Sequence, residues 1–547
     1  MDNFYQLKLT SGMTKARLCD TLSNFKPLES ATALRGDRFC FSLLITAAVP
    51  HEAVRTDVRI NSPLAPYINA YKVEHVPVRL PHFLDKYDED YLGHEPGLYP
   101  DLLCKFDHVY VTNRPTQLYF EVNLPEALSP AAYPIEISLT SGDKCPNHTA
   151  SVSLSLEVLD AVLPKLDIPV TQWFHYDCLA DYYGVEIFSE RHWELIESYM
   201  TAYVESGMNT LLTPIFTPPL DTDIGGERPT VQLVDITVTD GKYTFGFDKL
   251  ARFCALCKRV GIETLEIAHL FTQWGAAHAP KIVATENGVC RRIFGWETDA
   301  AGEDYVAFLH AFLPVLKEKL DEFGYKDRYF FHLSDEPSEA HLTSYNKAKN
   351  AVWHLVSDHP VRDALGNFAL YKKGVVKAPI VANNRIEEFH KNGIENLWVY
   401  YCCSQGVGVS NRFIAMPGYR TRILGAQMYK ANAAGFLQWG YNFYYAVKSR
   451  YLINPFLCTD TDCQFPAGDA FAVYPGADGK PMPSLHEVIF EQALFDLRAL
   501  RLAEQRVGRE RVLRVLKAAG TLDYENYPKN EDFLLKMREE INRLAAD

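Results

Sequence analysis

No apolar run in this chain approaches the ~20 residues needed to span a bilayer. The start, Met1 to Lys8, lacks a basic stretch followed by an apolar one, so no secretory signal is read and the expected location is the cytoplasm. Positive charge is in deficit: 55 Lys and Arg face 69 Asp and Glu, a formal net charge of −14. That balance argues against nucleic acid or an anionic membrane as partner. No second CxxC accompanies Cys254 and Cys257, which fall in an apparent helix. The 12 cysteines therefore read as free thiols rather than a zinc site or a disulfide framework. Trp173-Phe174-His175 stands where a metal-dependent barrel hydrolase would carry His-x-His, so no metal is expected. No glycine-rich nucleotide motif follows a strand, and no cofactor is expected.

What is there is a long chain with two rhythms. At 547 residues it exceeds one ordinary core, and its 47% apolar and 23% charged shares are ordinary for a globular protein. Residues 1–165 read as an all-β sandwich domain, with strand-like runs at 38–47, 58–60, 76–80, 117–122, 135–139 and 150–158. From 166 to 505 strand alternates with helix. Strands are expected at 169–175, 210–216, 264–270, 329–333, 380–382, 397–401, 435–439 and 470–473. The fifth of these competes with 371–376. Eight alternations predict an α/β fold, a (β/α)8 TIM-like barrel preceded by the sandwich. The long connections 217–247 and 271–303 are expected to build a substrate cleft. Residues 506–547 read as a charged, helical extension.

The most telling stretch is Phe330-Phe331-His332-Leu333-Ser334-Asp335-Glu336-Pro337. An apolar strand ends in two adjacent carboxylates, the place where α/β barrels keep their chemistry. Other expected strand ends carry Trp173, His175 and Asp177, then His269, then Trp398, Tyr400 and Tyr401, then Trp439, Asn442 and Tyr444. Aromatic faces beside hydrogen-bonding groups suit a sugar ring, which has apolar C–H faces and polar rims. Plainer readings exist. Glu336 and Pro337 also fit a helix start, as cap and first helical residue. The histidines also fit structural roles, and about half of the aromatics fit ordinary packing.

At these residues the chain resembles glycoside hydrolase family 123. The likeness runs in order through Gln117 to Pro125, Trp173 to Asp177, Phe188 to Trp193, His332 to Pro337, Gly435 to Trp439 and Val473 to Gly476. The resemblance implies a sandwich followed by a barrel, and β-N-acetylgalactosaminidase activity by substrate-assisted retaining catalysis. The substrate implied is an oligosaccharide or glycoconjugate with a terminal N-acetylhexosamine. By position, Asp335 would polarise the acetamido group and Glu336 would be the general acid/base. The chain departs from the family pattern at Ser484-Leu485-His486-Glu487, where His486 replaces an expected arginine, and at Phe495 to Arg498.

Adjacent acids suit that chemistry. When the substrate's own acetamido oxygen attacks the anomeric carbon, no carboxylate is needed across the sugar, and the usual separation of ~5 Å or more does not apply. Asp335, ionised, would accept from the acetamide N–H, and its charge is expected to keep Glu336 protonated. Two alternatives stay open: a two-carboxylate glycosidase drawing its second acid from Glu266 or Asp177, and a silent glycan-binding relative.

Overall fold

The computed structural model describes residues 4–49, 52–142, 147–518 and 520–547. The amino-terminal region holds two five-stranded sheets. The first runs Tyr5–Ser11, Arg38–Ala47, Thr116–Asn123, Ile68–Val78, Gly97–Cys104 in spatial order. The second runs Ser30–Arg35, Thr149–Val162, Ala131–Ser141, Val54–Asn61, Val109–Val111. Period-two alternation makes the second sheet one-sided: Ile135, Ile137 and Leu139 are buried, as are Leu154, Leu156 and Val158. They share a core with Phe41, Leu43 and Ile45 and with Leu118, Phe120 and Val122 of the first sheet.

Thr116–Asn123 does not alternate; all but its last residue is buried. A strand reads so when both faces are covered. The second face packs on the carboxyl-terminal body, where Arg38 pairs with Glu491 at 2.6 Å. Nearby, the Lys15 ammonium donates to the carbonyls of Phe413, Ile414 and Met416.

That body carries two parallel sheets. We number its strands β1 (Val170–Gln172), β2 (Thr210–Thr213), β3 (Thr264–Ile267), β4 (Tyr329–Phe331), β5 (Ile380–Ala382), β6 (Trp398–Tyr400) and β7 (Gly435–Gln438). One sheet is β2-β3-β4 and the other β1-β7-β6-β5. The Asn209 N–H donates to the Val170 carbonyl at 3.2 Å beside β1 and β2. Between β4 and β5, single parallel bridges link Phe331 to Val361 and Ala364 to Ile380. Gly435 is required at the start of β7, because a Cβ there would meet the Trp398 ring at 2.3 Å.

Helices follow most strands. Ser189 and Ser484 cap Glu190–Glu205 and Leu485–Val507, each oxygen accepting the backbone N–H three residues on. No described helix is long and apolar enough to cross a membrane.

Two expectations are corrected. Residues 470–473 are no parallel strand; Val473–Pro475 instead pairs antiparallel with Pro481–Pro483. The place between β4 and β5 is taken by 361–364, whose pairing is too short to leave a periodic signal. The competing segment 371–376 carries no strand; Phe368–Lys372 is helical. At the departure from the family pattern, His486 is wholly buried, bonding Asp101 Oδ1 at 2.7 Å and the Phe471 carbonyl at 3.0 Å. It ties the helix Leu485–Val507 to the first sheet. Asp496 is buried too, paired with Arg422 at 2.8 Å and Arg538 at 2.8 Å. A buried carboxylate needs such partners.

Candidate active site

The chain leaves β4 at Phe331 and does not enter a helix for several residues. The short turn Glu339–His341 precedes the helix Leu342–Val356, so Glu336 caps nothing. The loop 332–338 is held from below. Asp363 Oδ1 accepts the N–H of Leu333 at 2.9 Å and of Ser334 at 3.3 Å, and the Ser334 hydroxyl donates to the Thr272 carbonyl at 2.8 Å. The Trp274 N–H donates to the Asp335 carbonyl at 2.9 Å. These ties hold Asp335 and Glu336 side by side on the wall of one cavity.

Backbone strain gathers there. Asp221, Trp274 and Glu336 line the cavity with φ of 41°, 59° and 43°. Non-glycine residues pay about 1–3 kcal/mol for sparsely populated backbone conformations, a cost concentrated at functional sites.

Under the pair lies a buried polar network that the sequence did not disclose as a unit. Glu266 Oε1 accepts from His332 Nε2 at 2.6 Å and from Trp173 Nε1 at 2.7 Å, and its other oxygen accepts from the Thr171 hydroxyl at 2.7 Å. His332 Nδ1 is 3.5 Å from Asp363. Burial pushes the His332 imidazole down, but hydrogen bonding and charge from Asp363 and Glu266 outweigh it and lift its pKa to about 9. His269 stacks on it at 4.4 Å, and burial and then the His332 charge hold His269 well below the ordinary range. A cationic ring thus lies against a neutral one.

Burial, then the neighbouring Glu336 charge, push Asp335 well above the usual carboxylate range; His332 opposes them. Glu336 is exposed, and Oε1 accepts from the Tyr400 hydroxyl at 2.7 Å.

The expected binding residues divide. Trp173, Tyr400, Tyr401 and Trp439 line the cavity. The Trp439 indole N–H donates to Asp469 at 2.9 Å, and the buried Tyr401 hydroxyl has no partner among the described residues. The other six lie behind the wall in closed contacts. Asp177 is bidentate with Arg228 at 2.7 and 2.8 Å. His175 bonds the Trp439 carbonyl at 3.0 Å and approaches Arg228; burial, then that charge, lower it to about 3. Asn442 clamps the His175 backbone, Tyr444 donates to the Val473 carbonyl, and Trp398 packs edge-on to Phe330. His269 completes the stack below. Strand-end position is a poor guide here because successive residues turn to opposite sides.

Asp221, Gln273 and Phe465 line the cavity from loops that carry no periodic signal. Asp221 Oδ2 accepts the Lys448 N–H at 2.7 Å, and burial raises its pKa to about 6. Cys402 and Cys403 also line it. Among the described residues, no group of three or more His, Cys, Asp or Glu side chains is arranged to hold a metal ion.

A family model described as glycoside hydrolase 123, catalytic domain, matches residues 173–503. No curated protein matches the sequence. Among solved structures, the chain is similar to a family 123 glycoside hydrolase from Clostridium perfringens, studied for glycolipid glycan hydrolysis. The TM-score is 0.73 at 14% identity, over 99% of this chain and 98% of that one, a likeness of fold. β-Glucuronidases of Parabacteroides merdae and Bacteroides uniformis overlay at TM-scores of only 0.26 and 0.29, with 10% and 11% identity. They cover 88% and 92% of this chain over 51% and 50% of theirs, and carry no argument.

Proposed function

The chain belongs to glycoside hydrolase family 123, and from that premise we propose that it is a retaining, exo-acting β-N-acetylhexosaminidase of the N-acetylgalactosaminidase type, working by substrate-assisted catalysis. The observation that carries this reading is the placement of Asp335 and Glu336 as sequence neighbours on one cavity wall. Two-carboxylate glycosidases instead hold their acids ~5 Å or more apart across the sugar. The partners once open for that role, Glu266 and Asp177, are spent in buried pairs.

In this reading the sugar stacks on the cavity's tryptophans and its acetamido oxygen attacks the anomeric carbon. Asp335 accepts from the acetamide N–H and offsets the positive charge of the oxazolinium-like intermediate. Glu336 protonates the leaving oxygen, then takes a proton from the incoming water. The pair must hold one proton between its two carboxyls. The acetamide N–H, by stabilising the ionised form of Asp335, leaves that proton on Glu336. The Tyr401 hydroxyl, without a partner among the described residues, is the donor we assign to the acetamido oxygen.

The same reading takes β1 to β4, the segment 361–364 and β5 to β7 as eight staves of a (β/α)8 barrel, with the acid pair beyond the fourth. It divides the chain into a sandwich to residue 165, a barrel to 505 and a helical extension from 506.

Asp221 supports a second reading, a two-carboxylate mechanism, because it lines the same cavity. Aryl N-acetylhexosaminides compared with the parent aryl hexosides decide between them. Preference for the acetamido substrates and strong inhibition by a thiazoline mimic of the cyclised intermediate support the first. Equal turnover of both series with indifference to the thiazoline would overturn it.

A further inference from the structure

Glu336 and Tyr400 line a second, larger cleft as well as the first cavity. The two spaces thus meet at the acid that would protonate the leaving oxygen. If the sugar to be released occupies the first, its aglycone enters the second.

Free hydrogen-bond donors line that cleft. Asn367 spends its side-chain oxygen on the N–H of Ala369 and Leu370. Asn384 spends its oxygen on the Gln405 amide at 3.3 Å, and Gln405 spends its own on the Cys402 N–H at 2.8 Å. Each of the two asparagines retains its amide N–H groups. Lys86 reaches in from the amino-terminal region and gives one bond to the Ser404 carbonyl at 3.1 Å, leaving two donors. Arg385 is exposed and, among the described residues, forms no ion pair or side-chain hydrogen bond. The opposing acid, besides Glu336 itself, is exposed Glu388, which pairs with neither cation among the described residues. In a chain of net charge −14, two unpaired cations beside free amide donors form a local exception.

We propose that this cleft is the aglycone subsite and selects a leaving sugar that bears an oxyanion, a carboxylate or a sulfate ester, held by Arg385 and Lys86. A guanidinium forks onto such a group, and the ammonium adds a point charge. The inference rests on the glycosidase reading of the Glu336 site.

The test uses three disaccharides that share one β-linked N-acetylhexosamine and end in a neutral hexose, a uronic acid or a 6-sulfated hexose. The ratio of kcat/KM for each anionic substrate over the neutral one is expected to be about tenfold or more, roughly 1.4 kcal/mol. It should shrink with added salt, since exposed charges are screened over ~10 Å at 0.1 M. In Arg385→Ala/Lys86→Ala the ratio should fall towards one, a readout that a general loss of activity does not move. Which anionic arm exceeds the other tells carboxylate from sulfate. Ratios at or below one, or unchanged in the double variant, overturn the inference while leaving the glycosidase reading intact. The same sugars titrated calorimetrically into Glu336→Gln yield the ratio as dissociation constants. Absent turnover would then count against the glycosidase reading alone, and the anion preference would still be decided.

Discussion

The Tyr400 hydroxyl donates a 2.7 Å hydrogen bond to Oε1 of Glu336, from the last residue of one strand to the loop beyond another. Tyr400 is buried, so the bond aims an otherwise exposed carboxyl at the boundary between two cavities. Tyr400→Phe should keep the ring and lose the aim. About a tenfold loss of kcat/KM is expected, steeper for substrates with poor leaving groups. Equal losses across a leaving-group series would place the role of Tyr400 elsewhere.

The two acids should fail differently. Glu336→Gln is expected to cost about 10²–10⁴ on alkyl glycosides and far less on activated aryl glycosides, which leave without a proton. Asp335→Asn should cost about 10²–10³ on both, because charge on the cyclised intermediate develops whatever the leaving group. Small and equal effects of the two changes would remove both assignments.

Asp335 also predicts a stability effect. Its carboxyl is raised by burial and by Glu336 above the value it has in the unfolded chain. The folded state therefore binds more protons, and stability falls as pH rises from the usual carboxylate range through the raised value. Asp335→Asn should raise the melting temperature at pH 8, by about 1 kcal/mol or more in stability, and change little at pH 4. Calorimetric scans at the two pH values check it; no difference between them contradicts the burial of this charge.

His332 gives a second pH signature. Its folded value of about 9 lies above the ordinary imidazole value of about 6.5, so its contribution is fully present below about 6.5 and is lost as pH climbs through 9. Wild-type stability should decline across that window. His332→Gln should be about 3 kcal/mol less stable at pH 6, with Glu266 and Asp363 left uncompensated, and should show a shallower decline. Denaturant titrations at pH 6 and 9 are the measurement, and parallel declines in both proteins would contradict a protonated His332.

Cys403 lines the cavity of the candidate site and is part-exposed. Its neighbour Cys402 is held protonated by the adjacent thiol and by burial. Alkylation with a bulky maleimide should therefore mark Cys403 before Cys402 and block the cavity, whereas the exposed Cys19, Cys290 and Cys463 react without affecting it. Protection by the thiazoline, and resistance of Cys403→Ser to inactivation, are the expected results. Inactivation that proceeds equally with the thiazoline bound would place the sensitive thiol outside the cavity.

Much of this was readable along the chain. The helices Glu190–Glu205 and Asp248–Val260 fall between strands, as the strand-helix alternation predicts. Strands 380–382 and 435–438 were visible as short apolar runs. Val361–Ala364 was not, because its pairing amounts to single bridges while Asp363 gives its carboxylate to the acid loop. Tyr5–Ser11 and Ser30–Arg35 were passed over for a related reason, as mixed polar and apolar strands whose partners lie far along the chain.

The candidate site was legible in part. Local order alone set Asp335 beside Glu336 and put Trp173, Tyr400, Tyr401 and Trp439 at strand ends. Those are neighbour relations, and covalent spacing carries them. Which strand-end side chains reach the cavity was decided only by the tertiary structure. Asp177 and His175 met Arg228 from 51 and 53 residues away, and Glu266 met His332 across 66. Buried charge must find a partner wherever the fold supplies one, and sequence order does not encode the meeting.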